Sequence, residues 1–130
     1  MLINSSHFGE IVIDNKKYHQ VLIVGDAVEE RDYKKLEELF GSSHEIGDWE
    51  IEKLLSNNPE IIIIGTGQTG AMARPPRLAG SHGGQGGTIR NLFKNKNIEL
   101  IIATTPQIIE IFNENIKQGV KINALIHTTC

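Results

Sequence analysis

The chain has 130 residues, 39% of them hydrophobic, with a formal net charge of −3 and a pI near 5.9. That length fits one domain able to bury a core without staples, and the acidic balance argues against a nucleic-acid surface, which carries a basic face or stripe. The lone cysteine, Cys130, cannot close an intrachain disulfide, no signal-like segment opens the chain, and the longest apolar run falls far short of the ~20 residues of a membrane span, so a soluble cytoplasmic protein is expected.

Residues 10–13 and 18–24 are rich in β-branched side chains and flank Asp14-Asn15-Lys16-Lys17, whose Asx pair tolerates turn geometry, so an N-terminal β-hairpin is predicted. Gly25 ends it, and residues 26–43 read as charged and largely irregular, with one turn of helix around Leu36, Leu39 and Phe40 and no strong cap. A helix is predicted next. Asp48 is its N-cap, Glu50 and Glu52 suit the positive end of the macrodipole, and Ile51, Leu54 and Leu55 form the apolar stripe. Asn57-Asn58-Pro59 stops it.

Residues 61–64 are four consecutive isoleucines, which leave no polar face and predict a strand buried on both sides, as in the centre of a parallel sheet. Glycines 65, 67 and 70 follow. Arg74-Pro75-Pro76-Arg77 and the Gly-rich stretch 77–87 predict irregular chain, and Thr88 caps a short helix through about Asn95. Residues 100–103 read as a second buried strand, Thr105 as the N-cap and Pro106 as the first position of a helix with Ile108, Ile109, Phe112 and Ile116 on one face and Gly119 at its end, and residues 122–126 as a third strand. The expected fold is one α/β domain over residues 1–130, with a mainly parallel sheet in the C-terminal half and a second β layer supplied by the N-terminal hairpin.

Gly65-Thr66-Gly67-Gln68-Thr69-Gly70 matches the spacing of the dinucleotide fingerprint. Pro75 and Pro76 break the helix that would hold a pyrophosphate, and the strand at 100–103 ends in Thr104-Thr105 where a ribose-binding carboxylate is required, so no cofactor is expected. Two readings remain for these glycines: a tight turn, or a pocket whose N–H groups bind a small anion together with the hydroxyls of Thr66 and Thr104 and the charge of Arg74. Gly65, Thr104 and His127 all lie just past strand ends and should share one edge. His127 and Cys130 do not suit a nucleophile–base pair, because residues three apart on a strand face opposite ways. The remaining histidines lack zinc-ligand spacing, so no metal is expected.

Phe8-Gly9 with Ile11 and Ile13, then Tyr18 and Val24, Arg31, Ser43-His44, the segment from Pro59-Glu60 to Gly67 with Gly70 and Met72, Phe112-Asn113, and His127-Thr128-Thr129-Cys130 follow in an order that spans nearly the whole chain. In this order the sequence resembles a small-domain family found in many archaeal and bacterial proteins, in an adipogenesis-associated mammalian protein and in a mitochondrial complex I assembly factor. The resemblance implies a single three-layer β/β/α domain with no well-established enzymatic activity. The Gly-rich stretch at 77–87 departs from the family and reads either as an inserted surface loop or as a segment foreign to the natural chain. The resemblance also turns Arg31, otherwise a member of a solvated charge run, and His44 toward a pocket.

Two functions follow as expectations. The first is a non-catalytic binding module that engages a protein partner as an assembly or accessory factor, with homodimerisation compatible with it. The alternative is a small-molecule enzyme or anion-binding protein whose pocket combines Gly65, Thr66, Gly67, Gln68 and Arg74 with Arg31, His44, Thr104 and His127, where His44 or His127 is the general acid or base.

Overall fold

The computed structural model describes residues 1–41, 46–68 and 96–129. Three short strands, β1 (Ile3–His7), β2 (Glu10–Ile13) and β3 (Lys16–Tyr18), form an antiparallel sheet in that order. Asp14 and Asn15 turn the β2–β3 hairpin at φ 49° and 65°, the left-handed region that Asx residues tolerate. A second sheet holds β4 (Val21–Val24), β5 (Ala27–Glu30), β6 (Ile61–Thr66), β7 (Glu99–Ala103) and β8 (Ile122–His127), ordered β5-β4-β8-β6-β7. The helices are α1 (Tyr33–Phe40), α2 (Asp48–Leu55) and α3 (Thr105–Lys117).

The isoleucine run is the centre of the molecule. Ile61 and Ile63 face a core made with Ile3, Ile11, Ile13, Ile108 and Phe112, whereas Ile62 and Ile64 face a second core made with Ile46, Ile51 and Leu54. Successive strand residues alternate faces, so a strand without polar residues serves both cores at once. The layering follows directly. The small sheet and α3 cover one face of the five-stranded sheet, and α2 covers the other.

Several expectations change in the structure. The large sheet is mixed: β6 pairs parallel with β7 and β8, but β4 pairs antiparallel with both β8 and β5. The continuous strand expected over residues 18–24 breaks at His19-Gln20, so β3 stays in the small sheet while β4 inserts into the large one. The N-terminal layer is therefore a three-stranded sheet that includes β1, a strand with two serines and little local hydrophobic signal. The segment expected to be irregular holds both β5 and α1. Strand β5 lies at a sheet edge with Glu29 and Glu30 exposed, which hides its character. In α1 the cap is Asp32, whose side chain accepts from Lys35 N at 3.0 Å. Gly47 rather than Asp48 is the N-cap of α2, and Thr104 rather than Thr105 that of α3. Strand β7 is half-buried at the edge of the sheet, not fully buried. The predicted helix at 88–95, the Gly-rich stretch 77–87, His44, Arg74 and Cys130 lie outside the described residues.

Candidate functional site

The carboxyl ends of β6 and β8 lie side by side, with Gly65 opposite Ile126 and Thr66 opposite His127, and Gly65 is also in register with Ala103 of β7. The turn at residues 65–68, Thr104 and His127 thus occupy one edge of the sheet. Thr105, which local sequence marked only as a helix start, holds this edge together. Its hydroxyl donates to His127 O and accepts from Gly67 N at 3.1 Å, while its own N–H donates to Gly67 O at 2.9 Å. Thr66 donates its hydroxyl to Ala103 O at 3.1 Å. The Gly67 N–H and the Thr66 hydroxyl, both expected to meet an anion, therefore bond within the chain. A Cβ on Gly65 would lie 3.1 Å from Thr105 Oγ1 and 3.2 Å from Ile108 and Ile126, so this glycine is there for close packing. Gln68 differs from its neighbours: its Nε2 is buried and has no partner among the described residues.

Arg31 and His127, far apart in sequence, meet through a residue that sequence reasoning did not single out. Arg31 is 2% exposed and pairs with Glu50 through Nε–Oε2 at 2.7 Å and Nη2–Oε1 at 2.9 Å. Glu50 Oε1 also accepts from Gly47 N at 3.0 Å, so the carboxylate anchors the start of α2 while it neutralises the guanidinium. Arg31 Nη1 donates to Gln20 Oε1 at 2.9 Å, and the same oxygen lies 2.7 Å from His127 Nδ1. A guanidinium can only donate, so the Gln20 atom between the two must be its carbonyl oxygen, and His127 Nδ1 must carry the proton. In the neutral ring Nε2 then holds a lone pair, and it lies 3.3 Å from Thr129 Oγ1. Arg31 and His127 each make a further interaction as well. The only sequence signal for Gln20 was a polar side chain directly ahead of the apolar run Val21–Val24.

Beside Thr129 the surface opens into a cleft of about 380 Å³ lined by Gly9, His19, Gln20, Tyr33, Glu37 and Thr129. Its wall is tied together by backbone. Gly9 N donates to Thr128 O at 2.9 Å, Thr128 Oγ1 donates to His19 O at 2.7 Å, and His19 Nδ1 donates to Gly9 O at 3.1 Å. Tyr33 and Glu37 are four apart on α1 and so share a helix face. The Tyr33 hydroxyl donates to Glu30 Oε2 at 3.2 Å, and the His19 and Tyr33 rings meet edge to face with centroids 6.5 Å apart. Partial burial, and then the neighbouring Glu30 carboxylate, raise the pKa of the Tyr33 phenol. Among the described residues no cluster of three or more His, Cys, Asp or Glu is placed to hold a metal ion, and no helix is long and apolar enough to cross a membrane.

Two packed sheets with helices on both faces of the larger one define a small mixed α/β domain. Residues 3–127 match the family described as "Protein of unknown function (DUF498/DUF598)", and the chain belongs to that family. Among solved structures it is similar to the conserved hypothetical protein PH1505 from Pyrococcus horikoshii, at 25% identity over 100% of both chains with a TM-score of 0.75. It is also similar to a protein titled MT938, at 24% identity over 99% of this chain and 98% of the other, TM-score 0.72. A structure titled an outer membrane protein from Bartonella henselae matches at 17% identity over 97% of this chain and 92% of its own, TM-score 0.68.

Proposed function

We propose that this chain is a non-catalytic binding module that engages a protein partner in an assembly or accessory role, in a cytoplasmic setting. The observation that carries the reading is Phe8, which stands 71% exposed at the β1–β2 turn, next to the cleft-lining Gly9. Gly9 is held from both sides, by Thr128 and by His19, so the turn presents an apolar side chain from a fixed base. Ordering an exposed aromatic in advance removes part of the entropy cost of association. The polar groups behind the cleft support the same reading. Arg31, Glu50, Gln20 and His127 are spent on one another, which shapes a wall and leaves the catalytic alternative with less to work with. The sequence resemblance to a family that includes a complex I assembly factor favours the same reading. Affinity capture from cell extract with the natural chain and with Phe8→Ser in parallel tests it. Partners retained by the first and lost with the second support the module; identical capture by both refutes it.

A second reading has its own observation, the buried Gln68 Nε2 beside the Gly65–Gly67 turn, which has no partner among the described residues. A small anionic ligand there would accept from that amide, and an enzyme working on such a ligand would place His127 nearby as acid or base. Crystals soaked in sulfate decide it: an anion within hydrogen-bonding reach of Gln68 supports this pocket, and none there removes it.

A further inference from the structure

We propose that the cleft between the small sheet and α1 binds an alkylammonium or guanidinium group, inserted between Tyr33 and Glu37 and met by His19 and Thr129. The inference deepens the binding-module reading and rests on it, since it names what the partner would place in the cleft.

The direction of each hydrogen bond in the wall carries the argument. His19 Nδ1 faces Gly9 O, and a carbonyl can only accept, so in the neutral ring the proton sits on Nδ1 and Nε2 is left with a lone pair. The Tyr33 hydroxyl spends its proton on a Glu30 carboxylate oxygen, which also only accepts, so the phenol oxygen presents lone pairs. The proton that Gln20 fixes on His127 Nδ1 makes His127 Nε2 an acceptor, which turns the Thr129 hydroxyl proton toward it and leaves the Thr129 oxygen as a further acceptor. Glu37 adds a carboxylate to the lining, and no lysine or arginine is among the described residues that line it. Among the described lining residues, His19, Tyr33, Glu37 and Thr129 thus each offer an acceptor. A ligand rich in donors completes these groups, and an anion would meet lone pairs.

The rings add shape to the charge. His19 and Tyr33 stand at 80° to each other and form an aromatic corner, and a ring face attracts a cation through its quadrupole. A space of about 380 Å³ admits one long basic side chain or a short free amine. Those two sources share one recognising chemistry, which is a positively charged head with several N–H donors.

The test is a chemical-shift titration of the isotope-labelled full chain at mildly alkaline pH, where imidazole is neutral. The probes are N-acetyl-lysine methylamide, N-acetyl-arginine methylamide and putrescine, with sodium phosphate as the opposing probe. Saturable shifts at the amides of Gly9, His19, Tyr33 and Thr129 with the amines are expected. Glu37→Gln, at an exposed position that leaves the fold intact, should weaken them about two- to fivefold, the range of one exposed charge pair. Response to the capped amino acids alone identifies a partner's side chain, and response to putrescine alone a free amine; either supports the site. No saturable shift with any amine, or phosphate shifting the same four amides, overturns it. Phe8→Ser separates the two proposals. Amine binding that survives this change while partner capture does not sustains both, whereas lost capture without amine binding in the natural chain sustains only the module.

Discussion

Replacing Glu50 by glutamine keeps the side chain's shape and removes its charge, in a place where both it and Arg31 are fully buried. The new amide can still accept at one oxygen, but its nitrogen would face a guanidinium N–H, donor against donor, and the arginine would lose the carboxylate that neutralises it in the interior. Breaking a buried pair from one side costs about 3–5 kcal/mol, against a total stability of roughly 5–15 kcal/mol for a domain. With an m-value of roughly 2 kcal/mol/M, the urea midpoint should fall by roughly 2 M. Removing both partners tells the pair's own worth from the penalty of a stranded charge. Arg31→Met with Glu50→Leu should recover most of the loss, because matched apolar replacements escape the desolvation cost. Urea unfolding followed by circular dichroism measures all three chains. A Glu50→Gln shift below roughly 0.5 M, or a double variant no more stable than Glu50→Gln, would refute the view that burial makes this pair costly to break from one side.

Gly65→Ala should destabilise by about 1–3 kcal/mol, the usual range for overpacking, because the added methyl presses on Thr105, Ile108 and Ile126; calorimetry reads the change. Asn123 is buried, accepts from Gly25 N and donates to the carbonyls of Leu54 and Ser56, so it ties the β4–β5 turn and the end of α2 to β8. Asn123→Leu should cost about 1–3 kcal/mol for each backbone group left unsatisfied, with hydrogen exchange at Gly25 as the local reporter. The Tyr33 phenol should titrate above the ordinary 10.0, followed by ultraviolet absorbance, and Glu30→Gln should bring it part of the way back. Because the folded pKa is the higher one, the stability linked to Tyr33 is complete below about 10 and is lost as pH rises through the raised value.

The elements legible in the sequence were those whose signal is local. Four isoleucines announced β6, the spacing of Ile108 and Phe112 announced α3, and an Asx pair announced the β2–β3 hairpin. Each of these depends on neighbours within a few residues, where side-chain period and backbone preference leave a direct imprint. The chain order also placed Gly65, Thr104 and His127 on one edge, since the ends of parallel strands gather together.

What only the tertiary structure decided is pairing over long distances. Strand β4 joins β8 across the chain and makes the sheet mixed, and nothing near residue 21 records that partner. Strands β1 and β5 are held by their neighbours' hydrogen bonds rather than by their own polar sequences, so they lack the alternation that reveals a strand. The same reason hid the buried network. Arg31 lies in a charged run and looks solvated until Glu50, 19 residues away, and Gln20 close around it. Gln20 in turn meets His127 at a separation of 107 residues. A polar side chain is stable in the interior only when its partners are in place, and those partners are supplied by the fold.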